Sequence, residues 1–278
     1  DDLLRSLRPA NPILGSRSSR QIDNRLMDAL LCPRGQASGL WGSAEASRKK
    51  SRQMTAGDYA SAFDFRQQTP EMDMLREHYD FRNRFQTTGF NVQAAVAVQA
   101  ITQGISRCAS ITVCPGLDTH FDDWSTDQGP RQAEGFQMVS MMANDLANRP
   151  YPGGAPGDSW LDHTVIVGFS EFSRTALMNT RGGRDHSLTN ACFLLGGNIR
   201  GGQVIGASSD VGMQPTATNL ITGLPDSEGE VIRPEHVLQT LFDEVGIGEE
   251  PDLRVPSCRG DILNPCDQAL AIPRLMRG

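Results

Sequence analysis

Three short segments of the 278-residue chain carry the side chains best suited to chemistry. The first is Pro115-Gly116-Leu117-Asp118-Thr119-His120, and the second is Ser170-Glu171-Phe172-Ser173-Arg174-Thr175. The third is Arg181-Gly182-Gly183-Arg184-Asp185-His186. Together they offer Asp118, His120, Glu171, Asp185 and His186. Carboxylate and imidazole form the donor set of zinc, manganese and similar divalent ions. An ion held with open positions polarises an ester oxygen and lowers the pKa of bound water. Arg174 and Arg184 stand beside these groups, and a guanidinium can hold an anion through two parallel N–H donors. A lone Asp or His beside a turn more often caps or hydrogen-bonds, so the weight rests on the set. His78 and His236 fall in helical patterns and read as ordinary surface or packing residues. His163 precedes a strand and has no ligand-like partner in the sequence.

Such segments need a scaffold that brings them to one place. Ile22, Leu26, Met27 and Leu30 recur at helical spacing over 21–31. Thr69-Pro70-Glu71 reads as a helix start, with a capping hydroxyl, a first-turn proline and an acid at the positive end of the dipole. That helix is predicted to run to about Phe81. A second spans about 91–105, with Phe90, Ala94, Val98, Ile101 and Ile105 on one face. Ser110–Cys114 is a β-branched, apolar run closed by Pro115-Gly116 and reads as a strand. Phe136, Val139, Ala143 and Leu146 describe another helix. Thr164–Phe169 and Ala191–Leu195 read as buried strands. The last helix follows Pro234, with Val237, Leu238, Leu241, Phe242 and Val245 as its stripe and Gly246 as its stop. Short apolar strands alternating with helices predict an α/β fold, with a mostly parallel sheet and helices on both faces. In such sheets the site gathers beyond the carboxyl ends of the strands, where the three segments would lie.

Composition narrows the function. The chain has 26 Lys and Arg against 33 Asp and Glu, a net charge of −7, so a general nucleic-acid binder is not expected. No apolar stretch approaches the roughly 18 residues of a membrane helix. The basic run Arg48-Lys49-Lys50-Ser51-Arg52 reads as a solvated linker. The six cysteines include no CxxC pair, which argues against a structural zinc site of the usual spacing. Cys108, Cys114 and Cys192 are expected to be buried free thiols. Cys258 and Cys266 bracket a short loop, and a disulfide there and its absence both remain open. The glycine-rich run at 196–202 lacks the Lys-Ser/Thr ending of a phosphate loop, and no GxSxG elbow occurs.

As a set, AFDF (62–65), LDTH (117–120), SEFSRT (170–175), GRDH (183–186) and FLLGGNIRGGQVIG (193–206) resemble the DUF1501 family over about residues 20–247. That resemblance implies membership of the alkaline-phosphatase and sulfatase superfamily and an alkaline-phosphatase-like α/β sandwich. It implies metal ligands at Asp118, His120, Glu171 and His186, with Asp185 and Arg174 close by. The ion would be zinc, manganese or calcium. Leu117 stands where the family commonly has Trp, and Ser173 where it has Gly. Family chains usually carry a further N-terminal stretch with the first strand and the nucleophile. Nothing like it precedes Arg20, and the chain begins at Asp1 rather than Met. The missing part is therefore expected upstream or from a second chain or protein partner. Export is common in the family, so a periplasmic or other extracytoplasmic location is expected. The domain is expected over 1–247, followed by a Pro- and Cys-containing tail over 248–278. Two functions follow as expectations. One is a metal-dependent hydrolase acting on an anionic phosphate or sulfate ester. The other is a non-catalytic assembly subunit of a cell-envelope complex that reuses the fold.

Overall fold

The computed structural model describes residues 59–246 together with Ile272, Leu275 and Met276. The helical pattern at 21–31, the basic run at 48–52 and the Cys258–Cys266 pair lie outside the described residues. The chain divides into two units, Asp1–Val92 with Gln99–Ala109, and Gln93–Val98 with Ser110–Gly278.

In the first unit, α1 (Tyr59–Ala62) and α2 (Pro70–His78) precede α3 (Phe90–Thr102), part of which belongs to this unit. Helix α2 begins where the sequence predicts, and the Thr69 hydroxyl accepts the Met72 N–H at 3.3 Å. It stops at His78, short of the predicted Phe81. The Phe81 N–H reaches back to the Arg76 carbonyl at 2.9 Å, and the Asp80 N–H to that of Glu77 at 3.2 Å. With Asp80 at φ 50°, this is a Schellman ending built on aspartate where glycine is usual. Phe81 is thereby turned back, edge-on to the buried Phe65 at 5.3 Å between ring centres. The Arg76 guanidinium donates to the carbonyls of Phe65 and Gln67. The AFDF segment is thus tied to α2 by a buried charge with satisfied donors. Gln99 adds a 3.1 Å bond to the Ala62 carbonyl.

The second unit is built around α4 (Gly129–Asn148), which follows a π-helical turn at Trp124–Gln128. Its buried face is Gly135, Met138, Val139, Met142 and Leu146. Phe136, expected on that face, is half exposed and meets Phe193 with ring centres 5.7 Å apart. Gly135 is required by a close approach, since a Cβ there would collide with Cys114 Sγ and the Val113 carbonyl. Ser110–Cys114 packs at this point but is not a strand. It has no ladder partner among the described residues, and the Gln93 side chain accepts the Thr112 N–H. β-Branched residues favour a strand only where a neighbouring strand is present.

Among the described residues six strands follow: β1 (Val165–Gly168), β2 (Ser173–Arg174), β3 (His186–Ser187), β4 (Phe193–Gly196), β5 (Ala217–Thr218) and β6 (Glu230–Val231). They pair as β1–β4, β2–β3 and β5–β6, and all three pairings are antiparallel. β1 and β4 are the two strands read from the sequence, and Val165 faces Gly196 while Gly168 faces Phe193. No helix connects them. Residues 169–192 instead fold out as the β2–β3 hairpin that carries the site. Helix α5 (Pro234–Glu244) ends with Gly246 at φ 74°, as its terminal glycine predicts. Its buried residues are His236, Gln239 and Thr240. Beyond it, Ile272 and Leu275 join Leu220 in a buried cluster. The Ile272 N–H donates to Thr240 Oγ1 at 2.7 Å, so described residues of the expected tail are packed in the core. No helix among the described residues is long and apolar enough to cross a membrane. Cys108 and Cys192 are exposed and Cys114 is half-buried, all three as free thiols, so the expected burial is not found.

Candidate metal centre

The centre forms where the 117–120 segment meets the β2–β3 hairpin. Pairing of Arg174 with His186 across that hairpin places both beside the loop that carries Asp118 and His120. Thr119 anchors the loop. It is 1% exposed, its hydroxyl donates to Gln128 Oε1 at 2.8 Å, and its carbonyl accepts the Arg184 N–H at 3.2 Å. With Thr119 pinned inward, its neighbours Asp118 and His120 are left to face the hairpin. Gly183 is needed here because a Cβ would strike the backbone of His120 and Phe121.

Asp118, His120 and His186 each direct one donor atom into a common space, all within 4.8 Å of one another. His120 Nε2 lies 3.0 Å from His186 Nε2 and 3.2 Å from Asp118 Oδ1. Ligand bonds of about 2.1 Å put neighbouring donors roughly 3.0–3.4 Å apart, so these separations are those of one coordination sphere. The His120 tautomer follows from its partners. Nδ1 faces Asp185 Oδ1 at 2.9 Å, and an ionised carboxylate only accepts. Nε2 receives an Arg174 N–H at 3.1 Å, and a guanidinium only donates. His120 therefore carries its proton on Nδ1 and presents a lone pair on Nε2. A carboxylate behind the imidazole is the outer arrangement that orients a metal-ligating histidine.

Asp185 thus stands behind His120 and outside the three-donor group. Glu171 is exposed in the bend before β2 and is likewise outside it. Arg174 is central: its side chain is 11% exposed. Nη2 donates to Asp118 Oδ1 at 2.9 Å and to the Leu117 carbonyl at 2.8 Å. Nη1 donates to the Arg184 carbonyl at 3.1 Å besides its bond to His120. Arg184 is occupied elsewhere. Its Nη1 donates to the carbonyls of Thr175 and Ala176, and its guanidinium lies 4.6 Å above the Trp124 ring. It holds the hairpin in shape.

The Arg174 guanidinium, helped by the nearby imidazoles, holds the Asp118 carboxyl below the usual carboxylate range. The hydrogen bond from His120, then that from Asn179, lowers Asp185 in the same direction. Both acids are ionised at neutral pH.

Two contributors stand outside the candidate set read from the sequence, although Phe172 lies within the second segment. Asn179 Nδ2 donates to Asp185 Oδ1 at 3.0 Å and to the His120 carbonyl at 3.1 Å. Its Oδ1 accepts the N–H groups of Arg181 and Gly183. One amide thereby joins the third segment to the first. Phe172 stacks on the His186 imidazole, with ring centres 3.8 Å apart, and fixes its plane. His163 is separate from the centre: it stacks on Tyr151 at 3.7 Å and faces Asp158 Oδ2 at 3.2 Å.

An ionised carboxylate and two imidazoles, with an outer carboxylate and an anchored guanidinium around them, make a donor group that could hold a metal ion. The DUF1501 family, described as a protein of unknown function, matches residues 6–222, and the chain belongs to that family. The match begins before Arg20, where the motif reading starts, and ends before 247. No curated protein and no solved structure matches the chain.

Proposed function

We propose that this chain is a hydrolase-type domain of the alkaline-phosphatase and sulfatase superfamily, acting on a phosphate or sulfate ester. The observation that carries the reading is the convergence of His120 Nε2, His186 Nε2 and Asp118 Oδ1, with Arg174 beside them. Asp118, His120 and His186 would hold a divalent ion, with zinc favoured by the two imidazoles and manganese by the carboxylate. Such an ion supplies charge stabilisation on the transferred group and lowers the pKa of bound water. Asp185 keeps the His120 lone pair aimed at the centre. Arg174 places a fixed positive charge beside the three donors, where it would help neutralise an anionic ester. The family motifs support the larger sandwich fold and an extracytoplasmic location, which we infer with the activity.

Metal analysis of the purified protein, beside Asp118→Ala and His186→Ala, tests the reading. Wild type should retain a divalent ion that both variants lose, and phosphate and sulfate esters should then be screened as substrates. Wild type holding no ion after reconstitution would overturn it. A second reading, a non-catalytic assembly subunit, draws on Phe169, Leu177 and Leu188, which are 78%, 82% and 99% exposed. Large apolar side chains so exposed are common where proteins meet. Metal binding without turnover of any ester, together with concentration-dependent association, would favour it.

A further inference from the structure

Arg174 and a divalent ion need the same lone pair. The guanidinium has two nitrogens at the centre, and each makes the same two kinds of contact. Nη1 binds one backbone carbonyl, that of Arg184, and one centre atom, His120 Nε2. Nη2 binds one backbone carbonyl, that of Leu117, and one centre atom, Asp118 Oδ1. Each terminal nitrogen carries two N–H groups, so all four are assigned. Asp118 has further lone pairs to offer. His120 Nε2 has one, because Nδ1 carries the proton that Asp185 accepts. That lone pair can serve the arginine or a cation, not both.

Resting on the metal reading above, we propose that Arg174 couples the two ligands of this centre, so that an anion is held only after a cation has displaced the arginine from His120. Without the cation, the inner N–H groups are satisfied by His120 and Asp118 and are not available to an anion. With the cation, the Nη1 N–H loses its acceptor, while the Nη2 N–H keeps an oxygen of Asp118. The guanidinium cannot lose its charge, and the carbonyls of Leu117 and Arg184 keep it nearby. The freed Nη1 N–H, kept in place by the half-buried Arg184 carbonyl, can then donate to one oxygen of a phosphate or sulfate group. The specificity for anions would then belong to the loaded centre alone.

Calorimetric titrations of the full chain with Mn²⁺, and with inorganic phosphate in the presence and absence of Mn²⁺, test this without any assay of turnover. Wild type should bind phosphate only when loaded with Mn²⁺. Arg174→Gln removes a competing positive charge and should bind Mn²⁺ about tenfold more tightly, while phosphate binding weakens at least as much. Mn²⁺ binding that is unchanged or weaker in Arg174→Gln would overturn the coupling and leave the metal reading standing. No Mn²⁺ binding by either protein would overturn both. Should Arg174→Gln fail to fold, wild type still decides: equal phosphate binding with and without Mn²⁺ overturns the proposal.

Discussion

His120 and His236 are both anchored by their neighbours, but in opposite senses. His120 donates its Nδ1 proton to Asp185 and accepts the Arg174 N–H on Nε2, with Asp118 Oδ1 and His186 Nε2 close by. His236 accepts the Arg233 N–H on Nδ1 at 3.0 Å, which leaves the proton on Nε2. That proton points into the core, where the residue is 0% exposed. Glu230 Oε2 is 3.4 Å away, within ion-pair range but off the line of a hydrogen bond. One histidine leaves Nε2 among the side chains of Asp118, His186 and Arg174, and the other closes the first turn of α5. What separates them is which ring nitrogen the surroundings occupy, and one backbone N–H or one carboxylate decides it.

Substitutions should separate the two regions sharply. His120→Ala should abolish divalent-metal binding with a smaller change in cooperative unfolding than a core substitution, because its side chain is 23% exposed. His236→Ala should do the reverse. Loss of a fully buried side chain that also caps a helix should cost about 3 kcal/mol in denaturant unfolding, with metal affinity retained. If His236→Ala instead weakened metal binding as strongly as His120→Ala, the two regions would not be independent.

Smaller effects sharpen the contrast within the centre. Asp185→Asn keeps the shape but removes the charge behind His120, and should weaken metal binding roughly tenfold to a hundredfold. Glu171→Gln should leave metal affinity unchanged in the same titration, since the side chain is exposed outside the three-donor group. Acidification gives a further test. A carboxyl whose folded pKa is lowered stabilises the folded state above its unfolded pKa of about 3.9, and that stabilisation is lost as pH falls through the lower folded value. Arg174 beside Asp118 and His120 beside Asp185 place both carboxyls in this class. The stabilisation from these two carboxyls should therefore be lost only on acidification below about pH 3.9. Acid unfolding followed by near-UV circular dichroism, wild type against Asp118→Asn, checks it.

Much of this was legible in the sequence wherever a local rule decides. Thr69-Pro70 marks the start of α2, Gly246 its counterpart at the end of α5, and the apolar runs at 164–169 and 191–195 become β1 and β4. The three motif segments do meet. Pairing was not legible: the expectation of a mostly parallel sheet came from element order, whereas each described pair is antiparallel. Element order cannot show that residues 169–192 fold back as a hairpin. Ser110–Cys114 has strand composition but meets a helix glycine and a glutamine side chain. The buried face of α5 was missed because its polar residues are satisfied locally, as when the Thr240 hydroxyl donates to the His236 carbonyl at 2.7 Å. Arg184 and Arg174 look alike in sequence. Only their acceptors tell the two apart: carbonyls alone for Arg184, carbonyls with Asp118 and His120 for Arg174.

The central claim is that Asp118, His120 and His186 form one metal-binding centre. Titration of the metal-free full chain with Zn²⁺ or Mn²⁺, wild type against His120→Ala, tests it most directly. The account predicts saturable binding by wild type that the variant loses. Binding that is absent from wild type, or that survives undiminished in His120→Ala, would contradict it.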